Sequence, residues 1–254
     1  ALPPVPAIAL GAVEVTPLEL VTAYAAFANG GMRVTPRLVQ RIEAPDGTVL
    51  WSSEVEQGER VLDARDAYEV TSMLRGVVDH GTGRGVRTAG ITAPVAGKTG
   101  TTNNGADVWF VGYTPTLVAG IWFGYDDPRA ISGNASGGRY AVPAWSEFYR
   151  NGWREPRNVA WIPPANMIMK VIDPTTGLLA TEWCPAHQRE WFKPSDAPNQ
   201  PCQEHFAPMD ETIWADLEWE DDGQGGRASG RRNEPWTEDV RREVGRALRR
   251  IIRF

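Results

Sequence analysis

Lysine and histidine are scarce in this chain, three of each among 254 residues, and cysteine occurs only twice. No apolar run reaches the ~18 to 20 uncharged residues that a membrane-spanning helix requires, and the opening ALPPVPAIALGAVEV lacks the basic region that begins a secretory signal. An excess of positive charge is missing too. With 26 Lys and Arg against 32 Asp and Glu, the net charge is -6, which argues against a general nucleic-acid binder, because displacing phosphate counterions needs a basic surface. There is no initiator Met, and the Pro-rich opening leads straight into patterned segments, so the chain is read as a piece of a longer protein. What is present is globular: a hydrophobic fraction of 42% is enough for one sizeable core with a smaller appendage.

Thr16 and Pro17 open a helix through LELVTAYAAFA, with Thr16 as cap and Asn29-Gly30-Gly31 as stop. Arg37 to Glu43 and Thr48 to Ser52 read as a hairpin joined through Pro45-Asp46-Gly47. Asp63 caps a second helix that ends near Asp79, before the glycine-rich loop His80-Gly81-Thr82-Gly83-Arg84-Gly85. Three strands then follow at Val95 to Thr101, Val108 to Tyr113 and Thr116 to Tyr125, and short connections make them antiparallel neighbours. Val142 to Asn151 reads as a further helix. The expected fold class is α/β in the mixed sense (α+β), an antiparallel sheet covered by helices.

Composition shifts near Arg154, where Pro and Trp become frequent. The domain reading is therefore a main domain over residues 1–153, a Pro/Trp-rich extension with two Cys over 154–215, an acidic Gly-rich linker over 216–235, and a basic amphipathic helix over 236–254. Met167 to Ile172 is the strand expected in the extension. The last helix carries Val240, Val244, Leu248 and Ile251 on one face and Arg elsewhere, which suits packing on its own domain or contact with a membrane surface or partner.

Ala96-Gly97-Lys98-Thr99-Gly100-Thr101-Thr102 is the segment that carries chemistry. A strand bearing Lys-Thr-Gly lines the active site of serine enzymes that act on penicillin and D-alanyl peptides. The residue types fit that use. The Lys98 cation and the hydroxyls of Thr99 and Thr101 can hold a carboxylate by charge-assisted hydrogen bonds, and Gly100 leaves room for a ligand backbone beside the strand. A nucleotide-binding P-loop also ends in Gly-Lys-Thr, but it needs glycine where Thr92 stands, Pro94 interrupts the loop, and a strand follows instead of a helix.

Four longer strings, LGAVEVTPLELVTAYAAFANGG, SMLRGVVDHGTG, VAGKTGTTNNGADVWFVGYTP and VAGIWFGYDDPR, resemble class A penicillin-binding proteins in order and spacing over about Pro6 to Gly152. The resemblance implies the β-lactamase/transpeptidase fold, here incomplete, and a serine D,D-transpeptidase without metal or organic cofactor. Of the three motifs of that family only the Lys-Thr-Gly strand is found. No serine has lysine three residues later, Ser72 being followed there by Arg75, so the Ser-x-x-Lys nucleophile is absent. Ser132-Gly133-Asn134 fits Ser-x-Asn by letter but follows the Lys-Thr-Gly strand instead of preceding it, and reads as a loop turn.

Carried over, the family's site places substrate binding at Lys98, Thr99, Gly100 and Thr101, with the Thr101 backbone N–H as half of the oxyanion hole. The missing serine would supply the other half, so the chain alone is expected to be inactive. Implied partners are peptidoglycan stem peptides and β-lactams, in an extracytoplasmic location, with a glycosyltransferase domain and a membrane anchor upstream. The alternative is a non-catalytic module of the same fold that binds or senses peptidoglycan. A soluble β-lactamase would need a deacylating base, which is not found. Asn103, Asn104 and Asp107 could shape the substrate rim, and His80 reads as a helix C-terminal histidine.

In the extension, Cys184 and Cys202 are each followed three residues later by a histidine, His187 and His205, a set that suits a tetrahedral zinc site. The resemblance implies a location outside the cytoplasmic membrane, where a Cys184–Cys202 disulfide is the expectation. Trp183, Trp191, Trp214 and Trp219 read as core of the extension or as platforms for sugar rings.

Overall fold

The computed structural model describes residues 13–53, 58–156 and 159–206, with Pro6, Gly11 and two short strands beyond residue 206. Contacts divide the chain into two units, residues 1–180 with 186–202, and residues 181–185 with 203–254.

In the first unit, helix α1 (Pro17–Ala28) begins as its sequence dictates. The Thr16 hydroxyl accepts from the Glu19 N–H at 3.3 Å while Glu19 Oε2 accepts from the Thr16 N–H at 2.8 Å, a reciprocal capping box with Pro17 at the first helical position. The hairpin expected next is present but shorter, as β1 (Arg41–Glu43) and β2 (Val49–Ser52), antiparallel and exposed throughout. Helix α2 (Ala64–Asp79) starts at Asp63, whose carboxylate accepts from the Arg65 N–H at 2.8 Å, and ends at His80, the C-cap residue. A single helical turn not foreseen from the sequence, α3 (Gly85–Thr88), follows the glycine-rich bend.

The central sheet is β3 (Ala96–Thr101), β4 (Val108–Tyr113) and β5 (Val118–Phe123), antiparallel in that order. Helix α4 (Ala141–Gly152) covers one face. Gly97 and Gly112 are cross-strand partners there, and a Cβ on either would come within 2.7 Å of the Phe110 ring, so the two glycines let Phe110 lie flat on the sheet. Phe110 in turn meets Trp145 of α4 edge-on at 5.6 Å, and Trp145 stacks on Tyr149. Val78, Val86, Val95 and Val142 complete this core. On the opposite face α1 closes over β5, where Gly120 leaves room for Val21. Helix α2 lies alongside β3; its Thr71 hydroxyl bonds the Tyr113 hydroxyl at 3.1 Å.

Glu155 fastens the end of this layer. Its carboxylate accepts from the hydroxyls of Thr114 (2.8 Å), Thr116 (2.5 Å) and Tyr149 (3.4 Å) and from the Trp153 indole N–H (3.1 Å). Thr114 is fully buried, so the carboxylate meets a donor that water cannot reach.

The extension adds a hairpin to the same unit. Strand β6 (Ile168–Ile172) was expected; its antiparallel partner β7 (Gln188–Phe192) was not. Asp173 turns the chain after β6, accepting from the Thr175 N–H at 3.0 Å while Gly177 takes a φ of +71°. Strand β7 is tied to α2: Ser72 donates to Glu190 at 2.5 Å, and Lys193 reaches Asp66 at 2.5 Å and Glu69 at 3.9 Å. The first unit therefore runs past residue 153 and includes both strands of this hairpin.

In the second unit, β8 (Glu218–Glu220) pairs antiparallel with β9 (Arg227–Ser229), a small ladder inside the segment read as a linker. The helix expected over 236–254, Trp214 and the side chain of Trp219 lie outside the described residues. Among the described residues no helix is long and apolar enough to cross a membrane.

Candidate active-site strand

Strand β3 carries Lys98, Thr99, Gly100 and Thr101 in unbroken register with β4, from Ala96 opposite Tyr113 to Thr101 opposite Val108. Successive side chains alternate across the sheet, so Thr99 and Thr101 share the α4 face with Gly97, and Lys98 lies on the other. Among the described residues β3 pairs with a strand on one side only, which leaves alternate backbone groups for a ligand. Lys98 and Thr101 are exposed and Thr99 is half-buried, so the polar groups of the segment are within reach of solvent. The Lys98 ammonium donates to the Thr99 carbonyl at 2.9 Å, and among the described residues it forms no ion pair.

Both hydroxyls are supported from behind. The Gly137 N–H donates to Thr101 Oγ1 at 3.1 Å, and Thr82 Oγ1 lies 2.7 Å from Thr99 Oγ1. Gly137 has to be glycine: a Cβ there would lie 2.2 Å from the Trp109 carbonyl oxygen and 2.8 Å from that of Gly100. Neither Thr82 nor Gly137 stood out in the sequence, because each is distant along the chain from the hydroxyl it meets. The only local signal was the density of glycine around both.

A polar groove of about 310 Å³ opens beyond the end of β3, with Thr101, Thr102, Asn103 and Asn104 on one side and Ser132 and Gly133 on the other. Asn103 and Asn104 line this groove. Asp107 does not; its carboxylate accepts from the Trp122 indole N–H at 3.0 Å and belongs to the sheet. Ser132-Gly133-Asn134 is the loop turn it was read as, with the Ser132 hydroxyl bonded to Asn134 Oδ1 at 3.3 Å, yet it also forms a wall of the groove, which its motif order did not reveal. Ser72, the serine tested as a nucleophile, is occupied with Glu190 in the α2–β7 contact.

The two cysteines are buried thiols and do not form the expected disulfide. Each sulfur is already engaged: Cys202 donates to Asp173 Oδ2 at 3.2 Å, and Cys184 accepts from the Thr181 N–H at 3.3 Å. His187 is exposed just before β7, and His205 is half-buried. Trp183 is exposed, not core.

A helix-covered antiparallel sheet with Lys-Thr-Gly-Thr on its edge strand defines a protein of the β-lactamase/transpeptidase fold. The comparisons narrow this. Residues 5–141 match the penicillin binding protein transpeptidase domain, and residues 163–207 match the penicillin-binding protein 1A C-terminal domain. The chain belongs to the penicillin-binding protein transpeptidase family. It is 32% identical over 240 residues to penicillin-binding protein 1A of Pseudomonas aeruginosa, covering 75% of this chain and 29% of that protein. Against penicillin-binding protein 1A of Aquifex aeolicus the identity is 40% over 184 residues, covering 72% and 25%. The crystal structure of penicillin-binding protein 1A from Haemophilus influenzae matches with a TM-score of 0.65 and 25% identity over 77% of this chain and 34% of that one. The chain therefore spans less than a third of the length of the curated relatives it matches.

Proposed function

We propose that this chain supplies the substrate-clamping half of a serine D,D-transpeptidase that crosslinks peptidoglycan stem peptides and is acylated by β-lactams. The observation that carries the reading is β3 itself: a cation, two hydroxyls on one face and a singly paired strand edge within four residues. In this reading Lys98 keeps the pocket positive, Thr99 and Thr101 bind the terminal carboxylate of a D-alanyl-D-alanine end, and the Thr101 N–H faces the developing oxyanion. A serine outside this chain attacks the carbonyl, D-alanine leaves with a proton on its amine, and the ester passes to an amine of a second stem. With water in place of that amine the same ester gives carboxypeptidase chemistry.

This assignment carries the parent protein's setting with it: an extracytoplasmic enzyme with a membrane anchor and a glycosyltransferase domain upstream. No metal or organic cofactor takes part in the acyl transfer proposed.

The test is covalent labelling by a fluorescent penicillin, read on a denaturing gel, for this chain and for the chain extended upstream through a Ser-x-x-Lys motif. Labelling of the extended protein alone is expected, with Lys98→Ala and Thr99→Val each slowing it by about tenfold or more. If neither form is labelled, the transpeptidase reading fails and a non-catalytic peptidoglycan-binding module takes its place.

A further inference from the structure

Thr82 lies in the glycine-rich loop after α2 and was given no role above, yet it touches the clamp directly, with its hydroxyl oxygen 2.7 Å from that of Thr99. Its backbone is held in a wound bend and not in a loose loop. The N–H groups of Gly81 and Gly83 both donate to the Val77 carbonyl, at 3.1 and 2.9 Å, and the Arg84 N–H donates to Gly81 at 3.2 Å. Buried Val78 and Val86 anchor the bend on either side. Arg87 locks the turn that follows, donating to Asp79 at 2.7 Å and to the carbonyls of Ile91 and Ala93 at 2.8 Å each. On its far side Gly138 packs so closely that a Cβ there would lie 2.8 Å from the Thr82 carbonyl oxygen.

A hydroxyl has one proton to give. If Thr99 donates that proton to a carboxylate, the proton in its bond with Thr82 must come from Thr82. Thr101 is already in the equivalent state, because the Gly137 N–H behind it can only donate. We infer that Thr82 is a positioning residue of the clamp: it donates to Thr99 Oγ1, so that both clamp hydroxyls turn their protons outward to a ligand carboxylate. Each bond in such a chain polarises the next, which strengthens the contact with the charged end. The inference rests on the transpeptidase reading and adds a residue that does not itself touch substrate.

The experiment uses the parent protein and measures second-order acylation constants for benzylpenicillin and for its methyl ester, which lacks the carboxylate charge. Thr82→Val should slow acylation by benzylpenicillin about three- to tenfold and leave the ester within about twofold, while Thr82→Ser should restore the benzylpenicillin rate. A purely structural defect would slow both ligands alike, and that result overturns the inference; so does a Thr82→Val protein as fast as wild type. Should Thr82→Val not fold, Thr82→Ala is compared in wild-type and Thr99→Val backgrounds, where the effect must vanish once Thr99 lacks its hydroxyl. If wild type is acylated by neither ligand, the transpeptidase reading itself has failed, and Thr82 with it.

Discussion

Replacing Gly137 by alanine adds one methyl group at the point where the 136–138 segment crosses the clamp. That carbon would sit 2.2 Å from the Trp109 carbonyl oxygen, 2.8 Å from the Gly100 carbonyl oxygen and 3.1 Å from Thr99 Cβ. Two of these atoms are backbone of strands paired in the sheet and cannot retreat, so the 136–138 segment must lift. Gly137 has no left-handed backbone to lose, and the penalty is steric. Overpacking of this kind costs about 1–3 kcal/mol, and the Gly137 N–H to Thr101 bond goes with it. At roughly 2–4 °C per kcal/mol, Gly137→Ala should melt about 2–12 °C below wild type. The assay is thermal unfolding followed by circular dichroism, paired with the penicillin acylation rate, which should also fall because Thr101 loses its support. Gly133→Ala is the internal control, since a Cβ there meets nothing within 4 Å and should change stability by less than about 0.5 kcal/mol. The reasoning is refuted if Gly137→Ala melts and acylates like wild type, or if Gly133→Ala does equal harm.

Glu155→Ala removes the acceptor shared by Thr114, Thr116, Tyr149 and Trp153 and strands a fully buried hydroxyl. A loss of about 2–4 kcal/mol in urea unfolding is expected, and a change under 1 kcal/mol would show that the carboxylate is dispensable. The same corner makes the fold sensitive to alkali. Burial first, and then the neighbouring Glu155 carboxylate, push the Tyr149 phenol from its ordinary 10.0 up to about 12. A raised folded-state value means that the stabilisation is fully present below pH 10 and is lost as pH climbs through about 12. Tyr149→Phe should flatten the fall in urea midpoint between pH 9 and pH 11.5; parallel curves for the two proteins would refute the assignment.

The elements easiest to read in the sequence were those defined by local chemistry. Thr16 and Asp63 marked the starts of α1 and α2, and the β-branched and aromatic run from Val108 to Tyr113 is the strand β4 at both ends. Strand β7 was missed because Gln188–Phe192 has no alternating pattern of its own and becomes a strand only by pairing with β6. The four residues of α3 are too few to show a period. The clamp residues were legible because lysine is rare here and this one is followed by Thr-Gly-Thr on a strand. Its supports were not, because the contacts of Thr82 with Thr99 and of Gly137 with Thr101 depend on how the chain returns to β3. Gly97 taught a different lesson: it looks like part of the motif, but the packing beneath it makes it a seat for Phe110.

Helix α2 joins two regions that the sequence keeps more than a hundred residues apart. Its first nine residues are bolted to the extension through Asp66, Glu69 and Ser72, and its last residue leads directly into the bend that carries Thr82. Sixteen helical residues make a rod about 24 Å long. One continuous helix thus has the β6–β7 hairpin fastened along its side and the bend behind Thr99 growing out of its end, so the extension and the clamp share a single structural member.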